Sequence, residues 1–221
     1  MAGQALPRID ISWTGLAGDR RWAFVRPDSQ DRGFPWHTIR ESPQMSNYVA
    51  LLSEPDRPDR SRALVRAPNG GRYDVTDPRL AAELGGGLRV MRLYRGAFDA
   101  MPISVISDST VSALCTLAHV PSNERRFRPN IVVTLDSGAA FEEDEWVGSA
   151  VRIGTAVVRM DRRDSRCIIV NVDPASGRSD SHLLKVIGTA RGACAGVYAT
   201  TVRPGLINVG DPVVVDMRPQ H

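Results

Sequence analysis

Short apolar runs follow one another along this chain, each cut off by glycine, proline, aspartate or asparagine before it reaches helical length. They fall at residues 22–25, 48–52, 63–66, 88–93, 131–135, 151–153, 156–160, 167–172, 196–202 and 212–215. Runs of this length between turn formers read as strands. The segments joining them are mostly turns rather than helices, which argues against alternating strand–helix units. Many short strands at such spacing fit a barrel or a sandwich. The expected fold is mainly β, a β-barrel with a few short helices.

Three segments predict those helices. Asp108-Ser109-Thr110 supplies an N-cap before Val111, Leu114 and Leu117, which share one face at helical spacing and draw Cys115 into the packing. Pro78 to Leu84 precedes Gly85-Gly86-Gly87, and residues 181–187 precede Gly188. The charged, proline-rich stretch 54–60 reads as an exposed hairpin connection. A soft boundary near 96–100 divides an N-terminal portion, 1–98, from a second portion, 99–221.

Several function classes are excluded by composition. No apolar run approaches the ~20 residues of a membrane span, and Met1 to Asp10 lacks the basic-then-apolar order of a signal peptide. A soluble, cytoplasmic protein is expected. Cys115, Cys167 and Cys194 form no CxxC pair, and His37, His119, His182 and His221 show no metal-binding spacing. A disulfide framework or a structural zinc site is therefore not expected. Of the 28 basic residues all but Lys185 are arginine, yet only 6% of the chain is aromatic. Without basic residues interleaved with aromatics, no nucleic-acid partner is expected.

The chemistry concentrates in a few clusters. Asp161-Arg162-Arg163-Asp164-Ser165-Arg166-Cys167 sets one thiol among guanidinium groups at the mouth of an apolar run, where positive charge favours the thiolate. Arg125-Arg126-Phe127-Arg128-Pro129-Asn130 gathers guanidinium groups and an amide before a strand, a set suited to an anion or a heterocycle edge. Arg40 alone reads as a surface arginine. Gly15 to Trp22 reads as a tight turn needing positive φ and tied down by Asp19 and Arg20, and it lacks the spacing of a phosphate-binding loop. Phe141 to Trp146 reads as a solvated acidic turn anchored by its two aromatics. Residues 173–177 and 205–212 read as turns.

Taken in order, these clusters resemble the MOSC family, named for the C-terminal domain of molybdenum-cofactor sulfurase. The matching pieces are GLAGDRRW at 15–22, TIRESP at 38–43, PISVIS at 102–107, RFRPNIVV at 126–133, FEEDEWVG at 141–148, RIG at 152–154, SRCIIVNVDPASG at 165–177 and PGLINVGDPVVV at 204–215. The resemblance spans about residues 12 to 216 and is closest to the amidoxime-reducing group. It implies a β-rich fold holding a molybdopterin-type molybdenum cofactor between the N-terminal and MOSC portions. By the same resemblance Cys167 ligates molybdenum, and Arg128 and Asn130 contact the pterin or its phosphate. Arg40 and Ser107 are further cofactor contacts, while Arg166 holds the anionic cofactor or keeps Cys167 ionised. Pyridoxal phosphate binding is a further association of the family.

Longer members begin with a strand ending in a Pro-x-Lys-Ser motif whose lysine contacts cofactor phosphate. This chain opens on Met1-Ala2-Gly3-Gln4, just after the place of that strand. Two expectations stand: either the start is truncated or misassigned, or this member lacks that phosphate contact and leaves a barrel edge unpaired. No C-x4-C-x2-C iron–sulfur pattern and no flavin or nicotinamide fingerprint is present. Reduction of a small-molecule substrate, an N-hydroxylated compound, would then draw electrons from a separate electron-donor protein. Two other readings stay open: a sulfur carrier that takes a persulfide on Cys167 from a cysteine desulfurase, and a binding module with a structural thiol.

Overall fold

A computed structural model describes residues 1–27, 35–179 and 182–216. His221 and Ser181, the expected start of the third helix, lie outside them. The strands are β1 (Arg8–Ser12), β2 (Gly15–Leu16), β3 (Trp22–Val25), β4 (Trp36–His37), β5 (Val49–Leu52), β6 (Ala63–Arg66) and β7 (Arg72–Asp74). Helix α1 (Pro78–Leu84), β8 (Arg89–Arg92), β9 (Ile103–Ser107), α2 (Asp108–Leu117), β10 (Ile131–Val133), β11 (Ala150–Ile153) and β12 (Ala156–Ser165) follow. The described chain continues through α3 (Leu183–Arg191), β13 (Cys194–Arg203), β14 (Gly205–Asn208) and β15 (Val213–Asp216). Strands dominate, as the punctuated sequence predicts.

Contacts divide the chain into two units. The first comprises Met1–Leu6, Gly18–Asp99 and Val172–Ser179. It carries two three-stranded antiparallel sheets, ordered β4-β3-β8 and β5-β6-β7, with α1 beside them. The charged stretch 54–60 joins β5 to β6, as expected of a hairpin connection. Asp77 caps α1 by accepting a hydrogen bond from the Arg79 N–H at 2.9 Å. Glu83 on that helix accepts from two phenols, Tyr48 at 2.6 Å and Tyr73 at 2.9 Å.

The second unit comprises Pro7–Ala17, Ala100–Asn171 and Asp180–His221. Its six-stranded sheet, ordered β10-β9-β13-β12-β11-β15, curls into a half-barrel. All pairs are antiparallel except β10 with β9. A smaller sheet, β14-β1-β2, belongs to the same unit. Alternation along β12 buries Ala156, Val158 and Met160 against Val105, Val151 and Val197, and each large apolar side chain contributes roughly 1.5–3 kcal/mol on burial. A second cluster, from Ile106, α2 and α3, contains Cys115, as its helical spacing predicts. Burial raises the Cys115 thiol pKa. Gly196 (φ +72°) is required where β13 meets β9, because a Cβ there would sit 2.5 Å from the Val105 carbonyl oxygen.

Five expectations are corrected. The stretch 205–212 is not turn throughout, since Gly205–Asn208 form β14 and pair with β1. The run 167–172 is not a strand: β12 ends at Ser165, and Ile168–Asn171 form a 3-10 turn closed by the Val170 N–H on the Cys167 carbonyl at 3.2 Å. Conversely, β12 runs past Met160 through a charged segment because its side chains find cross-strand partners. Thr200 donates to Asp161 at 2.7 Å, and Arg162 lies over the Tyr198 ring. The cap of α2 is Ser107, one residue before the expected segment. Helix α3 passes through Gly188 and stops at Gly192, whose φ of +61° no longer continues a helix. Among the described residues no helix is long and apolar enough to cross a membrane.

Burial raises the Tyr48 pKa from 10 to about 12, and the Glu83 carboxylate adds to the shift. A raised acid stabilises the fold fully below its unfolded pKa, so this contribution is lost as pH rises from 10 through 12. Glu83→Gln should move the Tyr48 transition toward 10 in a phenolate absorbance titration; an unmoved transition would remove Glu83 as a cause.

Candidate functional site

The second unit brings the 126–130 loop and the 165–171 turn together. Asn123 starts the loop by accepting from the Arg125 N–H at 3.0 Å. Arg128 then takes positive φ (+53°), turning the chain into Pro129 and β10. Asn130 grips β9 twice: its N–H donates to the Ser104 carbonyl at 2.9 Å, and its side-chain oxygen accepts from the Ser104 N–H at 3.0 Å. That double bond with β9 explains why the loop ends where the parallel β10 begins.

Two arginine-to-carbonyl bonds run in opposite directions between the segments. Arg126, buried, donates through Nη1 to the Asn171 carbonyl at 3.3 Å. Arg166 donates through Nη1 to the Phe127 carbonyl at 2.6 Å and stacks 5.6 Å from the Phe127 ring centre. Its Nε reaches the Ala195 carbonyl on β13 at 2.8 Å. Its Nη2 lies 2.9 Å from Asp164 Oδ2, which also accepts from the Ser104 hydroxyl at 2.6 Å. The Arg166 side chain is only 7% exposed. Burial lowers its pKa, and the Asp164 carboxylate opposes that shift.

Arg166 is therefore directed into the protein rather than toward a bound anion. It fixes the backbone immediately before Cys167, whose neighbour Ile168 is exposed. Cys167 and Cys194 are both half-buried and in no disulfide, and β12 pairs Ser165 with Cys194. Arg128, Asn130 and Cys167 remain half-exposed on the two segments that Arg126 and Arg166 tie together.

Ser107 has a different role from the cofactor contact expected of it. It is fully buried, donating its hydroxyl hydrogen to Glu143 Oε2 at 2.9 Å and accepting from the Thr110 N–H at 3.0 Å. Glu143 also accepts from the Ser107 N–H and the Thr110 hydroxyl, each at 3.0 Å. The acidic stretch 141–146 is thus not a solvated turn: Glu143 is a buried cap at the positive end of α2. Asp144, with 9% of its side chain exposed, pairs with Arg163 and Arg191. Arg40 belongs to the first unit, where Nη2 pairs with Asp99. In that unit burial would raise the Glu41 pKa, but the Thr38 N–H and hydroxyl and Arg26 outweigh it and leave the pKa lowered. The tight turn expected within Gly15 to Trp22 falls at residues 17–20, with Gly15 and Leu16 in β2, positive φ at Gly15 and Gly18, and Arg20 on Asp19 at 2.7 Å.

Asp164 and Glu143 are the residues that sequence reasoning passed over. Each sat in a charged run that reads as surface, and no spacing signal separates a buried carboxylate from its solvated neighbours.

A family model described as MOSC domain matches residues 94–214. Mitochondrial amidoxime-reducing component 1 of Xenopus laevis is 34% identical over 131 residues, 52% of this chain and 36% of that protein. Mitochondrial amidoxime reducing component 2 of Bos taurus is 31% identical over 134 residues, 54% of this chain and 39% of that protein. These alignments span well under half the length of either relative. Among solved structures, the YuaD protein from Bacillus subtilis matches with a TM-score of 0.48 at 13% identity, covering 96% of this chain and 86% of that one. YiiM from Geobacillus stearothermophilus matches with a TM-score of 0.40 at 20% identity, covering 53% and 55%.

Replacing Glu143 by Ala should destabilise the protein by roughly 3 kcal/mol, since buried donors from Ser107 and Thr110 lose their acceptor. Chemical denaturation measures this, and a change under 1 kcal/mol would refute the capping role.

Proposed function

The chain belongs to the MOSC family, and from that premise we propose that it is a molybdenum-cofactor-binding oxidoreductase acting on N-hydroxylated compounds, with the Cys167 thiolate as metal ligand. The observation that carries this reading is the reciprocal tie between the 126–130 loop and the 166–171 turn. That tie leaves a soft sulfur, an amide and a guanidinium half-exposed on adjoining segments, a donor set that fits the group. A thiolate suits a soft metal, and the amide and guanidinium suit a heterocycle edge and a phosphate. In this reading residues 99–221 form the MOSC portion and 1–98 the N-terminal portion.

Each residue then has a role derived from its chemistry. Cys167 binds the metal through Sγ. Asn130 contributes a side-chain amide to this face, its oxygen engaged by the Ser104 N–H. Arg128 supplies positive charge for a phosphate, and Arg166, just before Cys167, ties that end of β12 to the 126–130 loop and β13. When bound, the cofactor supplies the two-electron redox chemistry. The overall change balances as R–NH–OH plus two electrons and two protons giving R–NH2 and water: the N–O bond breaks and the oxygen leaves in water. A separate electron-donor protein delivers the electrons, and an amidoxime, which the relatives' names specify, is the first substrate to test.

Purified from a host that makes the cofactor, the wild-type protein should carry close to one molybdenum per chain, and Cys167→Ala should lose at least nine-tenths of it together with amidoxime turnover. Full metal and turnover in the variant would remove the ligand assignment. Absence of metal, with a gain of one sulfur atom at Cys167 after incubation with a cysteine desulfurase, would replace this reading by the sulfur carrier.

A further inference from the structure

Asp164 has no role in the proposed function, yet it is 1% exposed and lies between the elements that build the site. Its Oδ2 is shared by the Ser104 hydroxyl at 2.6 Å and Arg166 Nη2 at 2.9 Å. Ser104 is also the residue that Asn130 grips through its backbone N–H and its amide oxygen. One carboxylate oxygen thus joins the strand that holds Asn130 to the guanidinium of the residue just before Cys167. From Arg166 the connection continues to the Phe127 and Ala195 carbonyls.

We propose that Asp164 is a positioning residue for cofactor binding, fixing Cys167 relative to Asn130 by anchoring Ser104 and Arg166 on one oxygen. This rests on the reading of Cys167 as the metal ligand. The Arg166 fork has fixed planar geometry, so holding one edge sets the direction of the others. Removing the Asp164 charge leaves a guanidinium buried without its counter-ion, and the fork must turn or admit water to compensate. Either movement releases Phe127 and Ala195 together. The gap between the 126–130 loop and the 166–171 turn then varies, although both remain folded.

The experiment uses Asp164→Asn, with exposed Asp136→Asn as a control for charge removal, and Asp164→Asn/Arg166→Gln in case the single variant folds poorly. Hydrogen exchange is followed at the Asn130 amide, bonded to the Ser104 carbonyl, and at the Arg166 amide, bonded to the Ala193 carbonyl. Both should exchange about tenfold faster or more in Asp164→Asn, while amides of α1 in the first unit keep their wild-type rates. In the molybdenum-loaded protein the electron paramagnetic resonance line shape should broaden or shift; a purely structural role would lower its amplitude alone. Neutralising both partners should recover the thermal midpoint yet leave the two amides fast. Wild-type exchange at both amides in a folded Asp164→Asn or double variant would overturn the proposal, as would an unchanged line shape. Because exchange is read on metal-free protein, a wild-type chain that takes up no molybdenum would sink the cofactor reading alone.

Discussion

Arg166 carries a permanent positive charge into the interior of the second unit, and its surroundings are arranged to compensate for the lost water. An ion of this size, taken out of water without a partner, is destabilised by several kcal/mol. Here the Asp164 carboxylate, the Phe127 and Ala195 carbonyls and the face of the Phe127 ring replace that water. A buried ion pair of this kind adds little net stability over an apolar pair of the same volume. What it adds is direction. A leucine in place of Arg166 could fill the space, but it would not oblige the 126–130 loop and β13 to meet the same plane.

The local chain path follows from that demand. The Arg166 N–H bonds the Ala193 carbonyl at 2.8 Å, which continues the ladder of β12 and β13 one residue past Ser165. Beyond that point β13's neighbour is no longer extended, since Gly192 and Ala193 both take positive φ. With no ladder partner left, the chain after Cys167 closes on itself as a 3-10 turn, and Ile168 faces solvent although its sequence reads as strand core. Cys167 therefore sits at the junction, half-buried, with rigid backbone before it and a tight turn after it. The same side of the unit receives Arg126, whose bond to the Asn171 carbonyl closes the far end of that turn.

Much of this was legible from pattern alone. Apolar periodicity located most of the strands of the half-barrel, because each has one face that must be buried and turn formers that end it. It failed where a different force decides. Residues 161–165 continue a strand although they are charged, since Asp161, Arg162 and Arg163 find partners on β13, α3 or the Glu142–Trp146 turn. Ile168-Ile169-Val170 is apolar and not a strand, since the neighbouring strand has already turned away. Short elements such as β2 and β4 carry too few residues for any period to show. The cofactor-type motifs were legible only as motifs. Arg128, Asn130 and Cys167 lie in adjoining segments, whereas Ser107 is consumed by the cap of α2, one residue before the expected N-cap segment.

That last difference separates two kinds of polar residue within one set of motifs. Ser107 and Arg166 look as capable of holding an anion as Asn130 or Arg128, and residue type alone gives no reason to rank them. Burial does. A hydroxyl that already donates to Glu143 and accepts from the Thr110 N–H has no hydrogen left for a ligand. A guanidinium pressed between two carbonyls and a carboxylate would have to break those bonds to reach one. Asn130 and Arg128 sit at half-exposed positions on a loop tied to β9 and to the 166–171 turn. The buried carboxylates are what allow this division. Glu143 takes up Ser107 and Thr110, and Asp164 takes up Ser104 and Arg166, while Arg128, Asn130 and Cys167 stay half-exposed.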